Sequence, residues 1–224
     1  MRVLAIDTAL AACSVALLDT SSDTVLARTS LPMERGHAEA LMPMIDQVVG
    51  GAAGLNTVDR LVVTTGPGSF TGIRVGLSAA RGLSLATKKP LVGVTTLIAL
   101  VAPALATGDG RAVAAAVDAR HGRVFFQIFA PSGLGLVPAR VLTARDAARM
   151  AGDGPVRLVG SGAQIVLDAS QTRHEIVLNS TVPDPVWLAR LGAASPIPER
   201  LPRPVYLRPA DVTKPSTASQ IARA

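Results

Sequence analysis

Aromatic residues make up only 3% of this 224-residue chain, with a single tryptophan, Trp187, and a single tyrosine, Tyr206. That argues against a protein that reads single-stranded nucleic acid by stacking bases on rings, so an RNA partner would be held by charge or through another subunit. Cysteine is scarcer still: Cys13 alone, in an apolar run, which excludes an intrachain disulfide framework or thiolate metal site and reads as a small core residue. Charged residues are 17%, against about 25% in an average soluble protein. With 49% hydrophobic residues and a mean hydropathy of +0.39, the chain is neither disordered nor an acidic tail. Lys and Arg number 22 against 16 Asp and Glu, a net charge of +6. The positive charges are scattered singly, which reads as a solvated basic surface with only a weak pull towards polyanions.

The length allows a genuine core in one large or two small domains without staples. The opening MRVLAIDTAL lacks a long apolar stretch or a small-residue cleavage site, and Asp7 interrupts it, so a cytoplasmic location is expected. The uncharged stretch 90–108 approaches the length of a membrane span. Prolines at 90 and 103, Gly108 and a break after Val94 divide it into a strand and a helix, so no membrane partner is expected.

Three β-type runs, 2–6, 14–18 and 24–29, form a meander divided by Asp19, Ser21 and Asp23. From His37 the spacing of Leu41, Met44, Ile45 and Val48 is that of one helix face, ending near Gly50 and Gly51. Strand 61–65, helix 72–87, strand 91–94 and helix 96–105 follow. After Gly110 the order restarts, with strands 113–117, 124–129 and 139–142, helix 144–150, strand 156–159 and helix 163–169. The opening strands VLAID and AAAVD each end in an aspartate, Asp7 and Asp118, which points to an internal duplication. The expectation is an α/β protein with the duplicated actin-like (ASKHA, ribonuclease H-like) fold. Its two β-β-β-α-β-α halves occupy 1–108 and 109–195, followed by a proline-rich segment, 196–224, that packs extended near 205–207 and loses order after about Lys214. Asp7 and Asp118 either face a phosphate site or are turn and cap residues.

The segment TTGPGSFTGIRVGLSAARG from Thr64 runs a strand through a Gly-Pro-Gly turn into a helix. It is not a P-loop, because Gly72 is followed by Ile73 and Arg74, nor a dinucleotide fingerprint, because Thr71 stands where glycine is required. Ser69 is not in a nucleophile elbow. Gly72, Gly76 and Ala80 lie on one face beside Ser78, Ala79 and Gly82, a spacing that suits close packing on the chain's own sheet or on another chain. His37, His121 and His174 have no partner at metal-ligand spacing and read as isolated surface histidines.

Nearly the whole chain resembles the TsaB (YeaZ) family, through LAIDTALAACSVALLD, HAEALMPMI, TTGPGSFTGIRVGLSAARGLSLA, PLVGVTTLIAL, DARHGRVFFQIF and VYLRPADV. The resemblance implies a non-catalytic partner subunit in making threonylcarbamoyladenosine in tRNA, at the adenosine next to the anticodon. It would bind and activate a paralogous threonylcarbamoyltransferase, TsaD, with the ATPase TsaE at their junction, and would meet tRNA only within that complex. No cofactor or metal is implied: the paralogue's metal histidines correspond to Thr96 and Leu100 here. Asp7 and Thr8 would be a vestigial phosphate hairpin. The expected interface, shared by a homodimer and the TsaD pair, comprises His37, Leu41, Met42, Ile45, Gly72, Arg74, Val75, Gly76 and Ala79. The alternative is a stand-alone actin-like ATPase or glycoprotease-like hydrolase.

Overall fold

The computed structural model describes residues 1–50, 54–178 and 180–207. The expected loss of order after Lys214 lies outside them. The first repeat runs β1 (Arg2–Asp7), β2 (Ala12–Asp19), β3 (Thr24–Pro32), α1 (His37–Gly50), β4 (Arg60–Thr64), α2 (Phe70–Thr87), β5 (Leu91–Val94) and α3 (Thr96–Ala106). The second runs β6 (Val113–Asp118), β7 (Arg123–Phe129), β8 (Arg140–Thr143), α4 (Ala144–Ala151), β9 (Arg157–Val159), α5 (Ala163–Asp168), β10 (Glu175–Leu178) and α6 (Pro185–Ala194). Each repeat thus runs β-β-β-α-β-α-β-α, its last strand and helix being the expected 91–94 and 96–105 in the first repeat. The sequence pattern missed β10, whose four residues are all at least partly exposed, and α6.

Two five-stranded sheets result, β3-β2-β1-β4-β5 and β10-β9-β6-β7-β8, the same order twice. In each, the first three strands are antiparallel and the rest parallel to the first. This duplicated topology is the actin-like arrangement.

β1 is apolar at every position but its ends because both its faces are covered. Leu4 and Ile6 pack with Leu41, Ile45, Ile73 and Leu77 under α1 and α2. Val3 and Ala5 pack on the other side with Val186, Leu188 and Ala189 of α6. The third helices are therefore exchanged: α6 lies on the first sheet, while Leu97, Leu100, Val101 and Ala104 of α3 pack with Val113, Ala115 and Val117 of the second. α4 and α5 cover the second sheet's outer face through Ala147, Ala148, Ala163 and Val166.

Two arginines hold this exchange. Arg60 Nη1, at the start of β4, donates to the carbonyls of Gly192, Ala193 and Ser195 at 2.8, 2.9 and 2.9 Å, capping the C-terminus of α6. Arg157, at the start of β9, donates through Nη1 to Ala104 O at 3.0 Å, capping α3. Each places a cation where the helix dipole is negative. At the other end of α6, Asp184 accepts from the amides of Val186 (2.7 Å) and Trp187 (3.4 Å), with Pro185 at the first helical position.

Stretch 90–108 divides as expected into β5 and the 11-residue α3. Among the described residues no helix is long and apolar enough to cross a membrane. Residues 196–206 carry no regular structure, as their prolines dictate. The segment docks by Val205 N donating to Thr65 O at 2.7 Å, with Pro202 against Gly93 of the edge strand β5.

Candidate functional site

Where the first hairpins of the two repeats converge, a cleft of about 470 Å³ opens. It is lined by the β1–β2 turn at Leu10, the loop Gly68–Ser69–Phe70, the β6–β7 turn at Asp118 and Arg120, Ser161, and Val205 to Leu207 of the C-terminal segment. The charged residues of the lining are two carboxylates, Glu34 and Asp118, and one guanidinium, Arg120, so the lining as a whole has no surplus of positive charge to draw in a polyphosphate.

Asp7 and Thr8, expected as a vestigial phosphate hairpin, are not among the residues that line this cleft. Asp7 is fully buried: its Oδ1 accepts from Thr64 Oγ1 at 2.6 Å and from Ala9 N at 3.1 Å, and its Oδ2 is buried without a donor. Burial pushes its carboxyl up from 3.8 to about 6, against the lowering effects of the Thr64 hydroxyl, the Ala9 amide and the His37 charge. Thr8 Oγ1 donates to Gly72 O at 2.7 Å. The lid over both residues is α2. A Cβ on Gly72 would stand 2.0 Å from Thr8 O, and one on Gly76 2.5 Å from Thr8 Oγ1, so only glycine lets the helix settle this closely on the hairpin. Asp118, its counterpart, is exposed, and its Oδ1 accepts from Arg120 N at 2.7 Å. Each aspartate ends its strand and accepts from the amide two residues on.

The expected interface divides in two. His37 (its Nε2 3.3 Å from Leu10 O), Leu41, Ile45, Gly72 and Gly76 are buried in the chain's own core. The other four are accessible: Met42 and Arg74 are exposed, Val75 and Ala79 half-buried. They belong to a wider outer stripe of α2 that includes Ser78, Gly82, Leu85 and Ala86. Leu85 is 84% exposed, and a Cβ on Gly82 would meet nothing within 4 Å. The two charges of α2 are drawn off this stripe. Arg74 lies 3.7 Å over the Phe70 ring and donates through Nε to Tyr206 Oη at 3.0 Å, while Arg81 donates to Pro202 O. The Phe70 and Tyr206 rings pack 4.9 Å apart. This tie to the C-terminal segment was not read from the sequence. Its one signal is the seven-residue spacing of Arg74 and Arg81, two turns along one helix face.

The histidine reading also needs correction, since only His121 lies on the surface. His174 is buried, its Nδ1 accepting from Val156 N at 3.3 Å, and burial lowers its pKa. Thr96 and Leu100 are buried one turn apart on α3. Among the described residues no cluster of three His, Cys, Asp or Glu side chains could hold a metal ion.

A family model described as TsaD: tRNA N6-adenosine threonylcarbamoyltransferase matches residues 25–175. The tRNA threonylcarbamoyladenosine biosynthesis protein TsaB of Escherichia coli is 40% identical over 127 residues, 56% of this chain and 54% of that protein. The solved structure of YeaZ from Pseudomonas aeruginosa matches at 28% identity with a TM-score of 0.75, covering 86% of this chain and 90% of that one. The chain belongs to the TsaB (YeaZ) family. A further structure, described as an uncharacterized protein with similarity to peptidase YeaZ from Pseudomonas aeruginosa, has a TM-score of 0.78 at 27% identity, covering 92% and 99% of the two chains. The alignments with the E. coli and Haemophilus influenzae TsaB proteins span about half of those proteins' length.

Proposed function

We propose that this chain is a non-catalytic partner subunit that binds and activates a TsaD threonylcarbamoyltransferase, in making tRNA threonylcarbamoyladenosine next to the anticodon. The observation that carries this reading is the outer stripe of α2: small, uncharged and accessible from Val75 to Ala86, with its two arginines held by the C-terminal segment. A helix face of this kind lets another backbone approach closely and leaves no charge to be stripped of water. The same stripe would pair two copies when the chain is alone, and TsaE would join at the junction with TsaD. The sealing of Asp7 and Thr8 beneath α2 supports the non-catalytic half of the reading over a stand-alone ATPase or hydrolase, since it leaves the first hairpin no carboxylate facing the cleft. Such a subunit would work in the cytoplasm and meet tRNA within the complex.

The test is co-purification with the cognate TsaD, sized by light scattering, for the parent and for Ala79→Arg and Leu85→Asp. Both positions are accessible, so circular dichroism should be unchanged. A buried, unpaired charge at the contact should weaken assembly by about tenfold or more. If both variants assemble with TsaD as tightly as the parent, the docking face lies elsewhere. ATP hydrolysis by the chain alone that survives rigorous purification would favour the enzyme reading.

A further inference from the structure

We propose that the end of the second sheet where the β6–β7 turn meets α4 is a phosphate-contact surface for RNA, an inference that rests on the reading of this chain as part of a tRNA-modifying assembly. Positive charges that stand singly in the sequence are gathered here by the fold. Arg120, His121 and Arg123 are exposed on the turn. Arg123 stands opposite Thr143 in the β7–β8 ladder, and Gly122 O accepts from Ala144 N at 3.4 Å, so the turn rests on the first residue of α4. That brings Arg145 beside it. Arg149 follows one helical turn further on, and Arg140 lies along β8.

These guanidiniums are not spoken for. Among the described residues Arg120, Arg123, Arg140 and Arg145 make no side-chain hydrogen bond or ion pair, and Arg149 has only Asp146, at 3.5 Å. Elsewhere in the second repeat Arg111, Arg157 and Arg190 are tied to Asp109, to Ala104 O and to Asp23. The stretch 118–149 holds five arginines against two aspartates, half the net charge of +6. The turn's backbone adds an independent sign. Arg120 (φ 64°), His121 (φ 53°) and Gly122 (φ 67°) are three consecutive left-handed residues, a costly conformation for the first two. The bonds Ala119 N to Arg123 O (2.9 Å) and Arg123 N to Arg120 O (3.2 Å) hold it closed.

The chemistry of the patch selects the partner. No aromatic ring is exposed on the turn or on α4, so the contacts are to phosphate and carry no base preference. The exposed positions of α4 are Arg145, Asp146 and Arg149, which offers nothing apolar to seat in a lipid surface.

The experiment is binding of fluorescent tRNA across a salt series, by the chain alone and by its assembly with TsaD. It compares the parent with a triple variant Arg120→Ala, Arg123→Ala, Arg145→Ala and with a control triple Arg28→Ala, Arg35→Ala, Arg173→Ala. The control removes the same charge from exposed arginines elsewhere. The patch triple should lose about tenfold or more in affinity at low salt and lower the log–log salt slope by about 3, roughly one per phosphate contact. The control triple should change the slope by less than 1, and circular dichroism should show both variants folded. Equal losses in the two triples, or an unchanged patch triple, overturn the proposal, as does binding of anionic vesicles in place of tRNA. A patch triple that assembles normally with TsaD but loses RNA supports it. If the parent fails to assemble with TsaD, the partner-subunit reading falls, and the RNA arm with the chain alone still decides this one.

Discussion

Replacing Asp7 by asparagine should make the chain more stable at neutral pH than at acid pH relative to the parent, and the size of that shift can be worked from the site. The carboxyl is fully buried, and desolvation raises its pKa from 3.8 to about 6 in spite of two hydrogen bonds that favour the charged form. The folded chain therefore holds the Asp7 proton more tightly than the unfolded chain does. Stability falls as pH rises through the window from 3.8 to about 6, and the cost is complete above it. A shift of this size corresponds to about 3 kcal/mol at neutral pH. Asparagine keeps the Oδ1 acceptor for Thr64 and Ala9 but cannot ionise. Its amide replaces the donorless Oδ2 with another unsatisfied group, a penalty of about 1–3 kcal/mol that is the same at every pH.

The measurement is urea unfolding of both proteins at several pH values between about 3 and 7.5, which brackets the titration, and the quantity read is the stability difference as a function of pH. His174 opposes the trend in each protein. Its lowered pKa contributes stability that is present above its ordinary value near 6.5 and is lost as pH falls, but it cancels in the comparison. The asparagine variant should gain on the parent by about 1.4 kcal/mol per pH unit through the window and level off above pH 6. A difference independent of pH would show that the folded carboxyl titrates as it does in the unfolded chain, and the account of a sealed, partly unpaired carboxylate would fail.

Three further outcomes follow from neighbouring geometry. Gly76→Ala should destabilise by about 1–3 kcal/mol, because its Cβ would meet Thr8 Oγ1 at 2.5 Å, whereas Gly82→Ala should stabilise by about 0.5–1 kcal/mol; thermal unfolding reads both, and equal effects would refute the inward tilt of α2. Arg60→Ala should cost about 2 kcal/mol by leaving the carbonyls of Gly192, Ala193 and Ser195 at the end of α6 without their donor, and a loss below 0.5 kcal/mol in denaturant titration would mean that water replaces it. The Cys13 thiol, pushed up from 9 to about 11 by burial and then by the Asp7 charge, should resist thiol reagents at pH 8 in the folded chain and react once it is unfolded.

The duplication was legible because each repeat writes its opening strand as an apolar run ending in aspartate, and because strands buried on both faces need such runs. A stronger trace went unread: β4 and β9 both open Arg-Leu-Val, at Arg60 and Arg157. These arginines cap the two exchanged helices, a role invisible in sequence because each donates to carbonyls far away along the chain, 132 to 135 residues for Arg60 and 53 for Arg157. β10 left no signal because, at four residues none of which is fully buried, it has little apolar pattern to show.

The interface residues show where sequence reasoning about a site runs out. Apolar spacing at Leu41 and Ile45, and small-residue spacing at Gly72 and Gly76, measures only that a helix face is packed. It does not say against what. Here α1 and α2 spend those faces on the chain's own first sheet and hairpin, so the residues with the clearest periodicity are the ones sealed inside. What remains for a partner is what the periodicity leaves over: Met42, Val75, Ala79, Gly82 and Leu85. The useful sequence signal was therefore the apolar residue out of phase with its helix. Leu85 is the clearest case: two positions after the buried Leu83, it falls on the opposite side of α2 and stands 84% exposed.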